Sequence, residues 1–350
     1  MRNIRINLDP KVAAGSRINA VDELKGLAIA LVILYHCDGV LGGTNFLHGE
    51  VGVDVFLILS GFTLALSSVT MPLRQFVSRR LMRIYPSYWI ALILCLVLMD
   101  HFFNQTRSFA DIFQHAIGVH GFSRLVYFSD ISGSFWFISL ILASYVVFAA
   151  VRKHLDNLSL LFALTGFLTL LATVVYQENG HFGGLISLAV RIPSFFVGLI
   201  AGRLLGVGTA EIRFDLTLGL GLLSFYYLTF FRGIACNYTL PAIGIILTWV
   251  GLRPYLARFA EGRFVLSTAA LIGVYSYEIY LFHQPFVRDY NYYVVNSAQF
   301  PNPTHWQLIK GILLGLVATV AVSVAVHKAM GYLYAYTATK TKAIGRTALG

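Results

Sequence analysis

The sequence predicts an all-α polytopic membrane protein with about ten transmembrane helices, and two observations carry this prediction. Hydrophobic residues make up 57% of the 350 residues and charged residues only 12%, about half the charged share of a typical soluble domain. The apolar residues also occur in runs of about 20, the length that crosses the hydrocarbon core of a bilayer. No hydrophilic stretch is long enough to predict a separate soluble domain.

The candidate spans are ten apolar stretches. They are centred on 21–41, 50–69, 86–103, 134–151, 157–176, 183–205, 214–231, 233–250, 264–284 and 306–327. After the second stretch, the segment 72–84 (PLRQFVSRRLMRI) is too basic to span and predicts a short amphipathic helix on the interface. The predicted organisation is a tail over 1–16, a membrane domain over 17–335 and a second tail over 336–350.

The positive charges predict the orientation of these spans, because Lys and Arg concentrate in cytoplasmic loops. With a cytoplasmic N-terminus, 20 of the 26 Lys and Arg fall on the inner side, five fall outside, and Arg191 lies within the membrane. Both termini are therefore predicted to be cytoplasmic. This orientation explains the net charge of +10 without a nucleic-acid partner.

Lys25 and His36 lie on one stripe of the first predicted helix, since eleven residues make three turns plus about 20°. About 16 Å separates them along the axis. Ionisable groups inside the membrane usually face a bundle interior or a wet cavity, which makes His36 a candidate catalytic residue. The alternative is a histidine that hydrogen-bonds a neighbouring helix.

A basic cluster follows the second span. Arg80 and Arg83 are three residues apart and share a helix face, with Arg79 beside them. Guanidinium groups at the inner membrane interface can donate paired hydrogen bonds to phosphate oxygens. The alternative is contact with the anionic headgroups of the lipid bilayer.

Other residues within the apolar runs are candidates for orienting the histidine or binding an acceptor. They are Asp54, ranked first among the carboxylates, with Asp38, Glu50, Trp136, Glu278 and His283. Trp136 also fits a packing anchor, and His283 an interfacial histidine. Glu278 is expected to face the interior, paired with Arg191. No motif for metal catalysis or nucleotide hydrolysis occurs, and His115 and His120 are five residues apart, which is not the spacing of a helical metal pair.

Several motifs in order resemble those of the integral membrane acyltransferase-3 family. They are the basic residue before His36, GVDVFLILSGF (52–62), R-x-x-R-I-Y-P (80–86), SFWFISLILASY (134–145) and GVYSYEIYLFHQP (273–285). The resemblance extends from Arg17 to about residue 330.

The resemblance implies a ten-helix enzyme of the bacterial cytoplasmic membrane. Such an enzyme takes an acyl group, usually acetyl, from cytoplasmic acyl-coenzyme A (acyl-CoA) to a hydroxyl of an extracytoplasmic polysaccharide, glycolipid or lipid-linked sugar. His36 matches the essential histidine, as general base or acyl carrier, and Lys25 the basic residue of the first motif. Arg80 and Arg83 match the paired arginines. The expected donor is acetyl-CoA, and no metal is expected.

Two departures from the family pattern concern Lys25 and the central span. The first motif usually begins with Arg, and Lys25 contacts phosphate as a point charge only. Many members have a Glu shortly after the central Trp, where Ile141 and Leu142 stand here. No fused extracytoplasmic domain is expected, so a reaction that needs one would require a separate transferase or polysaccharide-assembly partner.

Two other functions remain open from the sequence. Intramembrane ionisable residues also suit a proton-coupled transporter or a flippase of a glycan precursor, although the two halves show no internal repeat. A non-catalytic subunit of a polysaccharide assembly complex is the second alternative. Consumption of acetyl-CoA by the purified protein distinguishes the enzyme from both.

The charge asymmetry gives a first testable prediction. A reporter that is active only in the cytoplasm, fused after Gly350, should be active, because the predicted topology places that end inside. The matched fusion at the loop around Arg124 should be inactive. Activity of the loop fusion with a silent C-terminal fusion would contradict the orientation.

Overall fold

The computed structural model describes residues 19–43, 49–103, 107–122, 131–179, 189–206, 216–231, 238–291 and 303–347. Over these ranges the chain consists of helices and turns, without a strand. The helices are α1 (Asn19–Val40), α2 (Val51–Ser67), α3 (Leu73–Phe103), α4 (Phe109–Ala116), α5 (Trp136–Val151), α6 (Leu158–Asn179), α7 (Ile192–Gly206), α8 (Leu216–Phe231), α9 (Thr239–Leu256), α10 (Ala260–Val274), α11 (Ser276–His283) and α12 (His305–Thr347). A π-helical segment, Gln284–Asp289, follows α11, and 3₁₀ turns cover His120–Phe122 and Arg152–His154.

Each of the ten predicted spans contains a helix, and the all-helical membrane fold agrees with the prediction. By length and apolar composition, four described stretches qualify as crossings: Leu73–Leu98, Trp136–His154, Thr239–Leu256 and His305–Tyr334. The pair Ala260–Val274 and Ser276–Asp289 adds a fifth if it is one bent span. The total of ten membrane spans, and the side of the membrane on which each terminus lies, stay predictions. The tail 1–16 lies outside the described residues, and α12 continues through most of the predicted second tail.

The predicted interfacial helix over 72–84 is not a separate element, because α3 runs through it and through Pro86 without interruption. A proline inside a helix removes one backbone N–H and leaves the carbonyl four residues earlier without its donor. That carbonyl belongs to Met82, and the hydroxyl of Tyr334 on α12 donates to it. The sequence prediction was wrong here because the compensating donor comes from a distant helix.

The predicted ninth span is broken rather than continuous. Its two parts, α10 and α11, meet at Tyr275, where the axis bends by 69°. The Tyr275 N–H bonds the carbonyl of Ile272 three residues back (3.1 Å), which tightens the last turn of α10. The Ser276 hydroxyl donates to the Gly273 carbonyl (2.8 Å), which satisfies a carbonyl at the break.

Glycines allow α1 to pack closely against two neighbouring helices. A side chain at Gly26 would overlap the backbone of Ala269 on α10, and one at Gly273 would overlap the backbone of Asp22. On the other side, Gly52 of α2 lies against the backbone of α1. Small residues of this kind are typical of helix contacts in membranes, where dispersion contacts hold helices together. The position of α1, which carries Lys25 and His36, is therefore fixed from two sides.

A buried ion pair links α2 to the beginning of α7. Arg191 donates to Asp54, and both side chains are almost completely shielded from solvent. The second carboxylate oxygen of Asp54 accepts from the Ser194 hydroxyl (2.7 Å), which also contacts the Thr239 hydroxyl of α9 (2.8 Å). The pair thus holds three helices together. The expected pairing of Arg191 with Glu278 is wrong, because each has another partner.

This network gives a stability prediction. Asp54→Ala leaves the Arg191 charge buried without its carboxylate, a change that costs about 3–5 kcal/mol. Asp156→Ala removes the partner of Arg203 in a pair that is largely exposed, where the expected cost is about 0–1 kcal/mol. Thermal unfolding of the two variants in nanodiscs should show a clear drop for Asp54→Ala only. Equal midpoints would contradict the structural role of the buried pair.

Candidate functional site

A cavity of about 240 Å³ lies among α1, α2, α3, α5 and α11. It combines three basic side chains with hydroxyl and aromatic groups. The lining consists of Lys25, Phe56, Leu59, Ser60, Thr63, Ser67, Arg80, Arg83, Ile84, Phe137, Ile141, Tyr145, Ser276, Tyr277 and Tyr280. The structure therefore brings together Lys25, Arg80 and Arg83, which the sequence selected from two separate segments.

Each of the three basic residues is held differently. Arg80 donates to the Ser68 hydroxyl (3.1 Å), and its guanidinium lies 5.7 Å from the ring centroids of both Phe76 and Tyr145. Lys25 lies 3.3 Å from Asp22, one helical turn earlier. Arg83 lines the cavity from an exposed position, whereas Arg79 is exposed and is not part of the lining. The cavity thus presents three positive charges, and contacts with neighbouring side chains position those of Lys25 and Arg80, which suits an anionic ligand.

The structure places His36 and His283 side by side. The ring centroids of His36 on α1 and His283 on α11 lie 5.1 Å apart. Tyr280 connects this pair to the cavity, since it lines the cavity and its ring lies 5.5 Å from the ring of His283. His36 itself is not among the lining residues. Tyr280 in the cavity wall therefore lies one helical turn before His283 of the imidazole pair.

The hydrogen bond of His283 determines its tautomer. Its Nδ1 lies 2.7 Å from the carbonyl oxygen of Tyr280. A carbonyl can only accept, so Nδ1 carries the proton in the neutral ring and Nε2 keeps its lone pair. His283 is completely buried, and Nε2 has no hydrogen-bond partner in the described part of the chain. A lone pair in this position can accept a proton from a reacting hydroxyl or from His36.

The carboxylates proposed to orient His36 make other contacts. Asp54 bonds Arg191 and Ser194, and the Glu50 carboxylate accepts from the Tyr238 hydroxyl. The Asp38 carboxylate folds against Gly43 in the turn after α1. Among the described ring contacts, the neighbours of His36 are Tyr35 and His283.

Two further sequence candidates have structural partners. Glu278 is buried and accepts from the Ser87 hydroxyl (3.3 Å), with His327 Nδ1 3.2 Å away, so it faces the interior as expected and links α11 to α3 and α12. Trp136 lies under the guanidinium of Arg191 at 5.2 Å. This contact fits the packing anchor expected for Trp136 better than a platform for a sugar.

The second histidine pair has a different environment. The rings of His115 and His120 are stacked with centroids 4.0 Å apart, and both residues are completely buried. His115 contacts the Asp111 carbonyl through Nδ1 (2.8 Å) and accepts from the Ile131 N–H through Nε2 (3.4 Å). Burial, and secondarily the neighbouring His115, lowers the pKa of His120 to about 3, so its ring is neutral at physiological pH. The Tyr88 hydroxyl of α3 donates to the His115 carbonyl (2.7 Å), which packs α4 against α3.

Comparison with known proteins identifies the family to which the chain belongs. A family model described as an acyltransferase domain matches residues 18–328. The match covers all of the candidate residues discussed above, from Lys25 to His327. The chain belongs to the acyltransferase-3 family.

Two curated relatives of this family member are named for acyl transfer. A putative membrane-bound transacylase, BcsY, of Komagataeibacter xylinus is 39% identical over 88 residues, which are 24% of this chain and 20% of the relative. A putative acetyltransferase, ORF330, of Acidianus two-tailed virus is 25% identical over 181 residues, 49% of this chain and 51% of the relative. The chain thus matches about half or less of the length of either relative. No solved structure matches it.

Sequence reasoning on this family member missed Tyr277 and Tyr280 on α11, which both line the cavity. His283, which the sequence selected, follows one turn after Tyr280. Their spacing was visible in the sequence, since residues three or four apart share a helix face. The sequence could not predict which face of α11 lines the cavity, because that face depends on the 69° bend before α11.

Proposed function

We propose that this acyltransferase-3 family member transfers an acyl group, most simply acetyl, from cytoplasmic acyl-CoA to a hydroxyl of an extracytoplasmic glycan or glycolipid. The observation that carries the proposal is one cavity with Lys25, Arg80 and Arg83 in its wall and the His36–His283 pair one turn beyond Tyr280. Acyl-CoA fits both features. Its anionic phosphates can bind the basic residues, and its reactive thioester can reach the histidine pair. The family and the names of its relatives support acyl transfer.

The length of α1 supports the same assignment. Lys25 and His36 stand on one continuous helix, about 16 Å apart along its axis. An extended pantetheine arm has a length of the same order. Phosphates held near Lys25 therefore leave the thioester near His36, away from bulk water, where a hydroxyl from the other side of the membrane can meet it.

The histidine pair supplies the proton transfer that this reaction needs. The acceptor oxygen attacks the thioester carbonyl, the carbon–sulfur bond breaks, and CoA leaves as the thiol. An imidazole takes the hydroxyl proton and returns it to the leaving sulfur. In the second route, His36 attacks first, carries the acyl group as acyl-imidazole and passes it to the hydroxyl. Both routes give the same ester and free CoA.

The donor assignment predicts a selective loss of affinity. Arg80→Gln and Arg83→Gln should each weaken acetyl-CoA binding about ten- to a hundredfold, since a charge-assisted hydrogen bond contributes roughly 1.5–3 kcal/mol. Arg74→Gln is the matched control, because Arg74 is exposed on the same helix and lies outside the cavity lining. Isothermal titration in nanodiscs measures all three. Unchanged affinity in the double variant Arg80→Gln/Arg83→Gln would leave the cluster as a lipid contact.

The catalytic assignment predicts that His36→Ala lowers the rate of acyl transfer by about 10²–10⁴-fold, the usual contribution of general acid–base catalysis. Acetyl-CoA affinity should stay within about twofold of wild type, because His36 does not line the cavity. Release of CoA thiol reports the rate. A folded His36→Ala protein that transfers acetyl at the wild-type rate would contradict the mechanism.

Quenching wild-type protein in denaturant at neutral pH, after exposure to labelled acetyl-CoA without acceptor, distinguishes the two routes. Label on the protein that is lost in His36→Ala supports the acyl-imidazole. A protein that stays unlabelled without acceptor, yet releases CoA once acceptor is added, supports His36 as general base.

A further inference from the structure

Gln284 is a buried amide without internal partners. It is completely shielded from solvent, and neither its Nε2 nor its Oε1 has a hydrogen-bond partner in the described part of the chain. Leaving a buried polar group unpaired is unfavourable, and most native structures avoid it. An amide with both ends unpaired therefore indicates a ligand that can pair with both.

The backbone presents this amide next to the histidine pair. Gln284 directly follows His283 and begins the π-helical segment Gln284–Asp289. Such widened turns occur frequently at functional sites, because the extra residue redirects the side chains around it. The Nε2 of His283 is also unpaired. Two neighbouring residues thus leave three buried polar atoms without a partner, beside the ring of His36.

A glycine leaves room for the Gln284 side chain. A methyl group at Gly133 would overlap the Gln284 amide and would lie 2.9 Å from Nη1 of Arg288. The Gln284 amide and the Arg288 guanidinium therefore converge on the same point of the 131–135 segment. That segment is fixed from the other side, since the Tyr280 hydroxyl donates to the carbonyl of Ser134 (3.0 Å).

The chemistry of the amide selects among the possible ligands. The thioester carbonyl can only accept hydrogen bonds, and it would leave Oε1 of Gln284 unpaired. The phosphates of CoA are matched by the basic residues of the cavity, whose lining includes Tyr280 but not Gln284. Neighbouring hydroxyls of a sugar ring both donate and accept, and can pair with both ends of one amide.

We infer that Gln284 binds the acceptor sugar, with its amide paired to ring hydroxyls so that one hydroxyl faces the His36–His283 pair. This assignment rests on the proposed acyl transfer and gives the acceptor a binding residue that is separate from the donor cavity. Gln284 is thus a specificity-determining residue. A site that hydrogen-bonds a hydroxyl strongly rejects an analogue without it.

The test uses Gln284→Leu in the full chain in nanodiscs, with acetyl-CoA as donor and methyl β-D-glucopyranoside as the probe acceptor. Leucine has a similar volume and no hydrogen-bonding group. The variant should unfold at the same temperature as wild type or a higher one, since no internal hydrogen bond is lost. Acetyl-CoA affinity should change less than twofold, and the probe concentration for half-maximal CoA release should rise at least tenfold.

Gln307→Leu is the matched control. The Gln307 side chain accepts from the Thr304 N–H (2.8 Å) and the Thr304 hydroxyl (3.0 Å) at the beginning of α12. Its removal should therefore lower the unfolding temperature slightly and leave the response to the probe unchanged. The two Gln→Leu variants should thus show opposite patterns of stability and acceptor response.

The outcomes separate the two proposals. Wild-type protein that releases no CoA thiol in response to the probe overturns the proposed function, and this inference with it. A probe response that is normal in wild type and equally normal in Gln284→Leu overturns only the assignment of Gln284. A lower unfolding temperature with weaker acetyl-CoA binding in Gln284→Leu assigns the amide a structural role and also overturns the inference.

Discussion

The 69° bend at Tyr275 is the constraint on which the candidate site depends. Before the bend, Ala269 and then Gly273 of α10 contact Gly26 and then Asp22 of α1. The residue numbers rise along α10 while they fall along α1, so a straight continuation would lead past the beginning of α1 and away from His36. After the break, α11 places His283 against His36, toward the other end of α1.

Close packing makes this arrangement rigid. Glycines bring α1 within backbone contact of α2 and α10, and the Asp54–Arg191 pair holds α2, α7 and α9 together. The Tyr334 hydroxyl on α12 compensates Pro86 in α3. The Asp54 carboxylate and the Met82 carbonyl both accept hydrogen bonds, as expected where water is scarce. The His283 and Gln284 atoms that lack a partner within the described residues are the ones that we propose pair with the acceptor sugar.

The cavity and the histidine pair thus present two sets of polar groups with different chemistry. One set is cationic and lines the cavity from Lys25 to Arg83. The other is neutral and consists of the two imidazoles and the Gln284 amide beyond Tyr280. In the proposed function, the cationic set binds the anionic donor, the Gln284 amide binds the uncharged sugar, and the imidazoles supply the base.

Particular residues show what the sequence determined by itself. The apolar runs predicted a helical membrane protein, because the length and composition of a span follow from the thickness of the bilayer. The helical repeat placed Lys25 and His36 on one stripe, and the spacing of Arg80 and Arg83 placed them on one face, since both relations lie within a single helix. The motifs also predicted the family, which the comparison confirmed.

Only the tertiary structure decided which side chains meet across helices. It paired Arg191 with Asp54 rather than Glu278, joined the basic segment 72–84 to the following span through Pro86, and brought His283 to His36. It also left the Gln284 amide buried without a hydrogen-bond partner among the described residues. The physical reason is the same in each case. Local spacing fixes positions along one helix, whereas contacts between helices depend on bends and close approaches formed by residues far apart in the sequence.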